Sequence, residues 1–446
     1  LTVTGRNDWS SALAKGNNSY FYPSVSAAVL IDQAIPGLRD TNWLDMLKIR
    51  GSWANVGNDT GAYKITDYYT NSSYSSSYVL PGTLNNPLLK PENTESWEVG
   101  IETHMFKKRI SLDIAYYDSN TTNQILSVPT DQITGANYKL INAGKVNNHG
   151  VELSIGAKII QKRNFSWDFN FNWSRNWNML VELAPGVELY QLNTGFTSGN
   201  NVFIYAYPGK ELGRVYGYGF QRAPQGAYYV DQVTGETVDC SGQIIVDSNG
   251  YPQLDSQNLI DLGSIYPDWK GGFSTTFRYK NLRLGMNFTY QYGGNCYSLT
   301  HAILASSGKT KDTLYGRYDG LVQEGVNILA DGTYTKNTTI TQSAALYYQD
   351  YYYNRKNAET NTYDTSFLKL KQVNLDYSLG KKALQKIGWL RSLSVGVFAT
   401  NLFSLDNFPQ YDPEAATFNS ASISRGIETG AYPMTRTYGF TIKLGF

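Results

Sequence analysis

One short stretch of this chain concentrates tyrosine side chains. Residues 347–353 have the sequence YYQDYYY. Aromatic faces pack on the apolar C–H surfaces of sugar rings, and tyrosine hydroxyls can hydrogen-bond to sugar hydroxyl groups. The alternative is that the tyrosines pack loop against loop or lie at a membrane–water interface. The substrate-binding residues predicted from this stretch are Tyr347, Tyr348, Asp350, Tyr351 and Tyr352.

A second stretch carries oxygen ligands of the kind that calcium prefers. Asp247, Asn249 and Asp255 surround a glycine turn, as carboxylates and amides do in calcium loops. Tyr251 and Pro252 stand where further ligands would follow, and the glutamate that closes such loops is missing. The stretch therefore fits a plain Asn-Gly hairpin turn, and calcium is only a weak alternative. We predict no metal site and no cofactor.

Residue types that commonly perform catalysis are sparse. The three histidines, His104, His149 and His301, are far apart and lie in no recognisable motif. An enzyme needs a nucleophile, a base or a metal set that cluster, so we predict that this protein is not an enzyme. The two cysteines, Cys240 and Cys296, fit no metal-binding spacing. They form either two separate thiols or a disulfide between two loops.

The composition gives no sign of a nucleic-acid partner and indicates a membrane environment. Thirty-eight Lys and Arg against 37 Asp and Glu leave a formal charge of +1 among 446 residues. This balance gives no reason to expect nucleic acid as a partner. Charged residues amount to 17% of the chain, below the roughly 25% of soluble domains. The 36 tyrosines suit a membrane–water interface. No apolar run is long enough for a spanning helix.

The elements that must position these residues are strands with two different faces. From Phe165 to Ser174, aromatic residues alternate strictly with Ser, Asp and Asn. Successive side chains of a strand point to opposite sides, so this segment has one apolar and one polar face. On such polar faces, Asn172 and Asn287 are further predicted substrate contacts.

Twelve segments of this kind are predicted, and their connections alternate between short and long. Tight turns at one end and large loops at the other are typical of an outer-membrane barrel, with the turns periplasmic and the loops extracellular. The alternative, a soluble β-sandwich or propeller, has shorter strands of about five or six residues. The last strand ends in Phe446, the assembly signal of this protein class. The predicted strands span 1–6, 21–33, 46–56, 94–106, 109–120, 147–160, 164–177, 269–280, 282–294, 366–379, 391–404 and 433–446.

Several short sequence motifs, in order along nearly the whole chain, resemble motifs of the SusC/RagA family of TonB-dependent outer-membrane transporters, which are typical of the Bacteroidetes. One departure is Glu211, which stands where the family commonly has proline. The motifs are RNDWSS at 6–11, NPLLKPENTESWEVG at 86–100, NAGKVNNHGVE at 142–152, PGKELGRVYGY at 208–218, YPDWKGG at 266–272 and QYGG at 291–294.

The resemblance implies a fold and a function. Residues 1–446 would supply about twelve strands of an all-β, antiparallel, 22-stranded transmembrane barrel, and the plug and further strands would precede them. The expected function is TonB-dependent import of oligosaccharides across the bacterial outer membrane. Import of oligopeptides is the alternative, and a passive porin or adhesion barrel is a third. The implied partners are a SusD-like lipoprotein, the TonB complex acting through the plug, the upstream part of the barrel, lipid and lipopolysaccharide, and a dimer of transporter–lipoprotein pairs.

Overall fold

The computed structural model describes residues 1–39, 41–74, 76–192, 202–410, 412–415, 426–432 and 434–446. In this part of the chain, twelve long strands form one sheet in which each strand pairs with the next along the chain. They are β1 (Thr2–Trp9), β2 (Ser19–Leu30), β3 (Leu44–Asn58), β4 (Glu92–Met105), β5 (Ile110–Thr122), β6 (Lys145–Gln161), β7 (Phe165–Glu182), β8 (Trp269–Tyr279), β9 (Leu282–Tyr292), β10 (Phe367–Ser378), β11 (Ser392–Asp406) and β12 (Thr437–Gly445).

Every neighbouring pair in this sheet is antiparallel. All twelve predicted strands are therefore confirmed, with ends that shift by a few residues. Pro433, the first residue of the last predicted strand, lies outside the described residues. The first and last strands, β1 and β12, form the two edges of the sheet.

The register places polar residues on one face of the sheet and apolar residues on the other. Asn172 of β7 pairs with Gly272 of β8, which pairs with Thr289 of β9. The other face leaves large apolar side chains uncovered, as expected of a surface that meets lipid. Exposed residues on this outer face include Ile49, Val99, Ile101, Ile114, Leu375, Val395, Val397, Phe440, Ile442 and Leu444.

Short connections lie at one end of the sheet. Residues 106–109, 162–164 and 280–281 turn directly from one strand into the next. The two longer connections at this end contain helices Ile31–Ala34, Pro36–Arg39 and Lys381–Ile387. Exposed aromatic side chains surround this end of the sheet, as at a membrane–water interface. They are Trp43, Phe106, Tyr279, Tyr377, Trp389 and Phe446.

The long connections at the other end contain small folded elements. Their helical segments are Gln132–Thr134, Leu299–Ser306, Lys311–Thr313, Ala344–Leu346, Tyr347–Tyr352, Ala358–Asn361 and Pro413–Ala415. Their strands are Thr70–Asn71, Tyr78–Val79, Thr83–Leu84, Ile125–Pro129, Tyr138–Asn142, Tyr190–Gln191, Val202–Ala206, Arg214–Gly217, Tyr228–Val230, Thr237–Asp239, Ile245–Val246, Ile260–Ser264, Asn295–Ser298, Leu321–Val322, Val326–Ile328, Tyr334–Lys336, Ile340–Thr341, Thr362–Asp364 and Ile427–Glu428.

The last three long connections share one hydrophobic core. Val215 comes from the connection between β7 and β8, Tyr297 from that between β9 and β10, and Ile427 from that between β11 and β12. All three side chains are buried. These connections therefore form one folded body over the end of the sheet. Among the helices of the described residues, none combines the length and the apolar character needed to cross a membrane.

A close contact between a glycine and a tyrosine joins three strands. The Tyr290 hydroxyl of β9 donates to the backbone carbonyl of Asn172 on β7, at 2.9 Å. Its ring crosses over Gly271 of β8, where an added Cβ would lie 2.5 Å from the hydroxyl oxygen and 2.2 Å from the Asn172 carbonyl oxygen. Only a residue without a side chain fits there.

We expect Gly271→Ala to destabilise the full-length protein by about 1–3 kcal/mol, because overpacking forces backbone and side-chain shifts. Thermal unfolding in detergent, followed by circular dichroism, measures this. Gly37→Ala is the matched control, since an added Cβ there meets nothing within 4 Å. Equal unfolding temperatures for the two variants would contradict the packing described.

Candidate functional site

The polar face of the sheet, the inner face, carries an ion cluster across three strands. Both terminal nitrogens of Arg50 on β3 donate to the Asp113 carboxylate of β5, at 2.7 and 2.9 Å. Its Nε donates to Glu98 of β4 at 3.3 Å. Arg50 reaches over Gly100, where a Cβ would lie 2.7 Å from the guanidinium carbon. Charges of both signs therefore line this face and are paired in a fixed geometry.

The histidines lie in three separate environments. His104 is on the inner face, with Nε2 3.7 Å from Glu102 Oε1. His149 stacks on Trp177 at 5.4 Å on the outer face. His301 is buried in a long connection, where it contacts Asp312 at 3.1 Å. No two of the three share a site in the described part of the chain, so their arrangement supplies no catalytic cluster.

A pocket of about 500 Å³ opens on the inner face, and we call it the wall pocket. Its lining includes Glu152 of β6, Asn172 of β7 and Lys270 of β8. The Glu152 and Lys270 side chains are exposed, and neither has an ion-pair partner within the described residues. The pocket therefore offers an ammonium group and a carboxylate that remain available to a ligand.

The two predicted asparagines are close together. Asn172 and Asn287 both line a second pocket of about 250 Å³ on the inner face. Asn287 pairs in register with Ser274 of β8, and Asn170 of β7 pairs with the same serine. Both asparagines thus face the interior as the alternation indicated, and ligand contact by either one stays a prediction.

A buried ionic group, which we call the lysine–carboxylate cluster, fixes the last long connection against the inner face. Lys369 of β10 contacts Asp412 and donates to Glu414 at 2.9 Å, and Lys371 also contacts Glu414. Lys369 is 5% exposed and Asp412 is 6% exposed. Burial alone would raise the pKa of the Glu414 carboxyl, but hydrogen bonds from Lys371 and Lys369 outweigh burial and lower that pKa. Glu414 also lines the wall pocket.

This cluster was not predicted from the sequence. The two lysines of FLKLK, at 367–371, were an available signal, because charges on a barrel strand face the interior, where most of them pair with opposite charges. Their partners lie more than forty residues later, in a connection without regular periodicity. Sequence spacing alone does not bring such residues together.

The tyrosine run is largely part of a loop core. Tyr347 and Tyr348 are buried, with Tyr251 and Leu321 in the same cluster. The Tyr347 hydroxyl donates to Gln323 Oε1 at 2.5 Å, and burial raises its pKa. The Tyr348 hydroxyl donates to the backbone carbonyl of residue 315 at 3.0 Å. These hydroxyls already have protein partners, which favours packing of loop against loop for both tyrosines.

The remaining predicted residues of the run surround the same core. Tyr351 stacks on Tyr251 with ring centres 4.8 Å apart, and Tyr352 packs against Phe220 at 5.6 Å. The Asp350 side chain is exposed to solvent. Substrate contact by these residues stays a prediction.

A groove of about 480 Å³ borders the tyrosine run, and we call it the loop groove. Its lining includes Arg317, Tyr318, Tyr348 and Gln349. Tyr318 is 97% exposed, so its ring face is available to a ligand. Arg317 is held by hydrogen bonds to the backbone carbonyls of residues 308 and 313, at 2.6 and 2.7 Å. The groove thus combines an open aromatic face with fixed polar groups.

The weak calcium candidate has the geometry of a turn. Asp247 Oδ1 accepts the backbone N–H groups of Asn249 and Tyr251, both at 2.9 Å. The Asn258 side-chain amide donates to Asp255 Oδ2 at 2.9 Å, and the backbone N–H groups of residues 257 and 258 donate to Oδ1. These hydrogen bonds lower the pKa of the Asp255 carboxyl. Both carboxylates are therefore engaged in local hydrogen bonds. Across the described ranges, no group of three or more His, Cys, Asp or Glu residues is arranged to hold a metal ion.

The cysteines and the terminal phenylalanine have separate surroundings. Cys240 packs in a cluster with Val326, whereas Cys296 packs with Phe408 in another. Burial raises the pKa of both thiols, which lowers their reactivity. Phe446 is 71% exposed and stacks on Trp389 at 5.5 Å. Its role as an assembly signal stays a prediction.

We expect Asp412→Asn to destabilise the full-length protein by about 3 kcal/mol, because it leaves the buried Lys369 ammonium without its closest counter-charge. Thermal unfolding in detergent measures the change. The matched control is Asp8→Asn, which breaks an exposed ion pair with Arg6 at 2.9 Å and should cost less than about 1 kcal/mol. A smaller effect at Asp412 than at Asp8 would contradict the buried cluster.

Comparisons with known proteins agree with this geometry. Residues 1–287 match the family described as "TonB dependent receptor-like, beta-barrel". The chain is 27% identical to TonB-dependent receptor P3 of Formosa agariphila and 26% identical to TonB-dependent receptor SusC of Bacteroides thetaiotaomicron. Each match covers 100% of this chain, but 44% and 42% of the relative. The chain therefore spans less than half the length of these relatives.

Solved structures share the fold. The RagAB peptide importer in its open-open state matches with a TM-score of 0.75 at 22% identity, over 100% of this chain and 45% of the matched chain. The predicted resemblance is thus confirmed at the level of family and fold. Since the family match covers more than half of the residues, the chain belongs to the TonB-dependent receptor-like β-barrel family of outer-membrane proteins.

Proposed function

We propose that this chain forms the C-terminal part of the barrel of an active importer in the outer membrane. The observation that supports this most is the twelve-stranded sheet, with its uncovered apolar outer face and its charged, pocketed inner face. In this proposal residues 1–446 are one barrel segment. The edge strands β1 and β12 pair with further strands of the whole protein, because lipid does not tolerate unpaired strand edges.

The proposed transport cycle uses parts outside this chain. A SusD-like lipoprotein closes over the long connections and traps the ligand, and the TonB complex pulls on a plug inside the barrel. The shared core of the last three long connections supports a role as a rigid platform for that lipoprotein. The outer face contacts lipid and lipopolysaccharide, and two transporter–lipoprotein pairs form a dimer. The described residues contribute the wall and the platform.

Oligosaccharides are the cargo that the loop groove favours. Sugar binding needs an aromatic face beside hydrogen-bonding groups, and Tyr318, Arg317 and Gln349 supply both. The groove lies on the loop side of the protein, where an extracellular ligand arrives first. It also contains Tyr348, one of the predicted substrate residues.

Oligopeptides are the second candidate, because the wall pocket carries charge. The available Lys270 ammonium and Glu152 carboxylate suit a zwitterionic chain with charged termini or side chains. A neutral glycan can hydrogen-bond to both groups but carries no charge that would form an ion pair with either. The two cargoes therefore depend on different residues, so they can be separated by experiment.

We expect Tyr318→Ala to weaken binding of oligosaccharides to the full-length protein with its lipoprotein by about three- to tenfold, the loss expected for one stacking contact. Calorimetric titration with panels of oligosaccharides and oligopeptides measures this. Tyr228→Ala, which removes another exposed loop tyrosine, is the matched control and should leave affinity unchanged.

A double variant of the wall pocket tests the oligopeptide alternative. Two results together would overturn the oligosaccharide proposal. The wild type would capture peptides tightly and lose that affinity in a Lys270→Gln, Glu152→Gln double variant, and neither the wild type nor any variant would bind a glycan. Uptake that persists in cells without TonB would overturn active import and leave a passive pore.

A further inference from the structure

Charge is distributed very unevenly between the two ends of the sheet. We define the turn rim as the short-side connections, residues 31–43, 106–109, 162–164, 280–281 and 379–391. The turn rim contains eleven Lys and Arg residues but only two Asp and no Glu, a net charge of +9. The whole chain has a net charge of only +1. The rest of the chain is therefore net negative, and cations are concentrated at the periplasmic end.

The long connections carry the opposite sign. Residues 10–18, 59–91, 123–144, 183–268, 293–366 and 407–436 together hold 15 Lys and Arg against 22 Asp and Glu. The connections between the same twelve strands thus differ in charge according to the side on which they lie. If surface lysine were simply common in this chain, the connections on both sides of the sheet would carry excess positive charge. The excess is instead found at the turn rim.

Nine of the eleven cations of the turn rim lack a protein counter-charge among the described residues. These nine have described side chains, and all nine are exposed. None of the nine forms an ion pair within the described residues. The nine residues are Lys107, Lys108, Arg109, Lys162, Arg163, Lys280, Lys382, Lys386 and Arg391.

Among the described residues, two acidic groups in or beside the turn rim, Asp32 and Asp45, are already engaged. Asp32 is buried, and its carboxylate accepts the Leu47 backbone N–H at 2.9 Å and the Gln33 amide at 2.8 Å. Asp45, next to the rim in β3, accepts the Lys108 backbone N–H at 2.8 Å. These contacts satisfy the carboxylates without neutralising the ammonium and guanidinium groups around them.

Aromatic side chains place the turn rim at the level of lipid headgroups. Phe106 directly precedes Lys107, and the Lys280 ammonium lies 5.3 Å from the centre of the Tyr279 ring. Exposed aromatic rings at a sheet end mark the membrane–water interface. Long basic side chains beside that interface extend toward the charged headgroups. The available cations therefore lie where phosphate groups of the bilayer are found.

We propose that the turn rim binds anionic phospholipid headgroups of the periplasmic leaflet. The ligand is a glycerophosphate with a net negative charge, recognised by several Lys and Arg side chains rather than by one built pocket. Such clusters concentrate anionic lipid because each basic residue near a charged surface adds attraction. The rim would hold an arc of bound anionic lipid along the part of this end that the twelve strands form. The inference depends on the membrane placement of the fold and not on the cargo.

The test measures lipid preference of the full-length protein in vesicles. Spin-labelled phosphatidylglycerol and phosphatidylcholine report the relative association of each lipid with the protein surface. We expect the wild type to prefer phosphatidylglycerol, and a rim variant to lose that preference by at least about threefold. The rim variant is Lys107→Gln, Lys108→Gln, Lys162→Gln and Arg163→Gln.

The matched control removes four cations from the loop side. It is Lys309→Gln, Lys311→Gln, Lys336→Gln and Lys356→Gln, and it should keep the wild-type preference. Salt gives a second measurement that needs no variant, since the preference of the wild type should fall as ionic strength rises. No preference in the wild type, a salt-independent preference, or equal losses in both variants would overturn the proposal.

Discussion

The structure depends on one constraint, which is that backbone polar groups inside a bilayer must be hydrogen-bonded within the protein. Twelve consecutive strands meet it through eleven antiparallel ladders. Because the strands alternate, the same ladders also sort side chains, so that Phe440 and Ile442 face outward while Asn172 and Glu152 face inward. The apolar exterior and the polar interior are thus two consequences of a single register.

The inner face and the loops differ in how they use polar groups. On the strands, ions such as Arg50 and Asp113 pair across neighbours and leave only a few charges available to a ligand. In the long connections, polar groups mainly hold loops together, as the Tyr347 hydroxyl and Gln323 do. The wall pocket lies where this pairing is incomplete, since Glu152 and Lys270 have no ion-pair partner among the described residues, whereas the loop groove offers the exposed ring of Tyr318. Recognition of cargo is therefore proposed where charged or aromatic groups remain open to a ligand.

Sequence reasoning predicted the sheet well because strand alternation is a local signal. The segment from Phe165 onward shows both faces in its own residues, and the structure places a long strand there. The predicted site was harder, since it depends on contacts between distant segments. For Tyr347 the sequence left open both stacking on a ligand and packing of loop against loop, and in the structure it lies in a buried cluster with Tyr251 and Leu321. Turn-forming glycines and asparagines indicated loops without indicating which loops would share a core.

The most direct test of the account is a scan of spin labels along β7 in the reconstituted full-length protein. Single labels at 168–174 are compared for collision with oxygen, which dissolves in lipid, and with a water-soluble nickel complex. A strand in a barrel wall predicts a period of two, with labels at Phe169, Phe171 and Trp173 accessible to oxygen and labels at Asn170 and Asn172 accessible to nickel. Nickel accessibility at every position, or a protein that stays in solution without detergent or lipid, would contradict it.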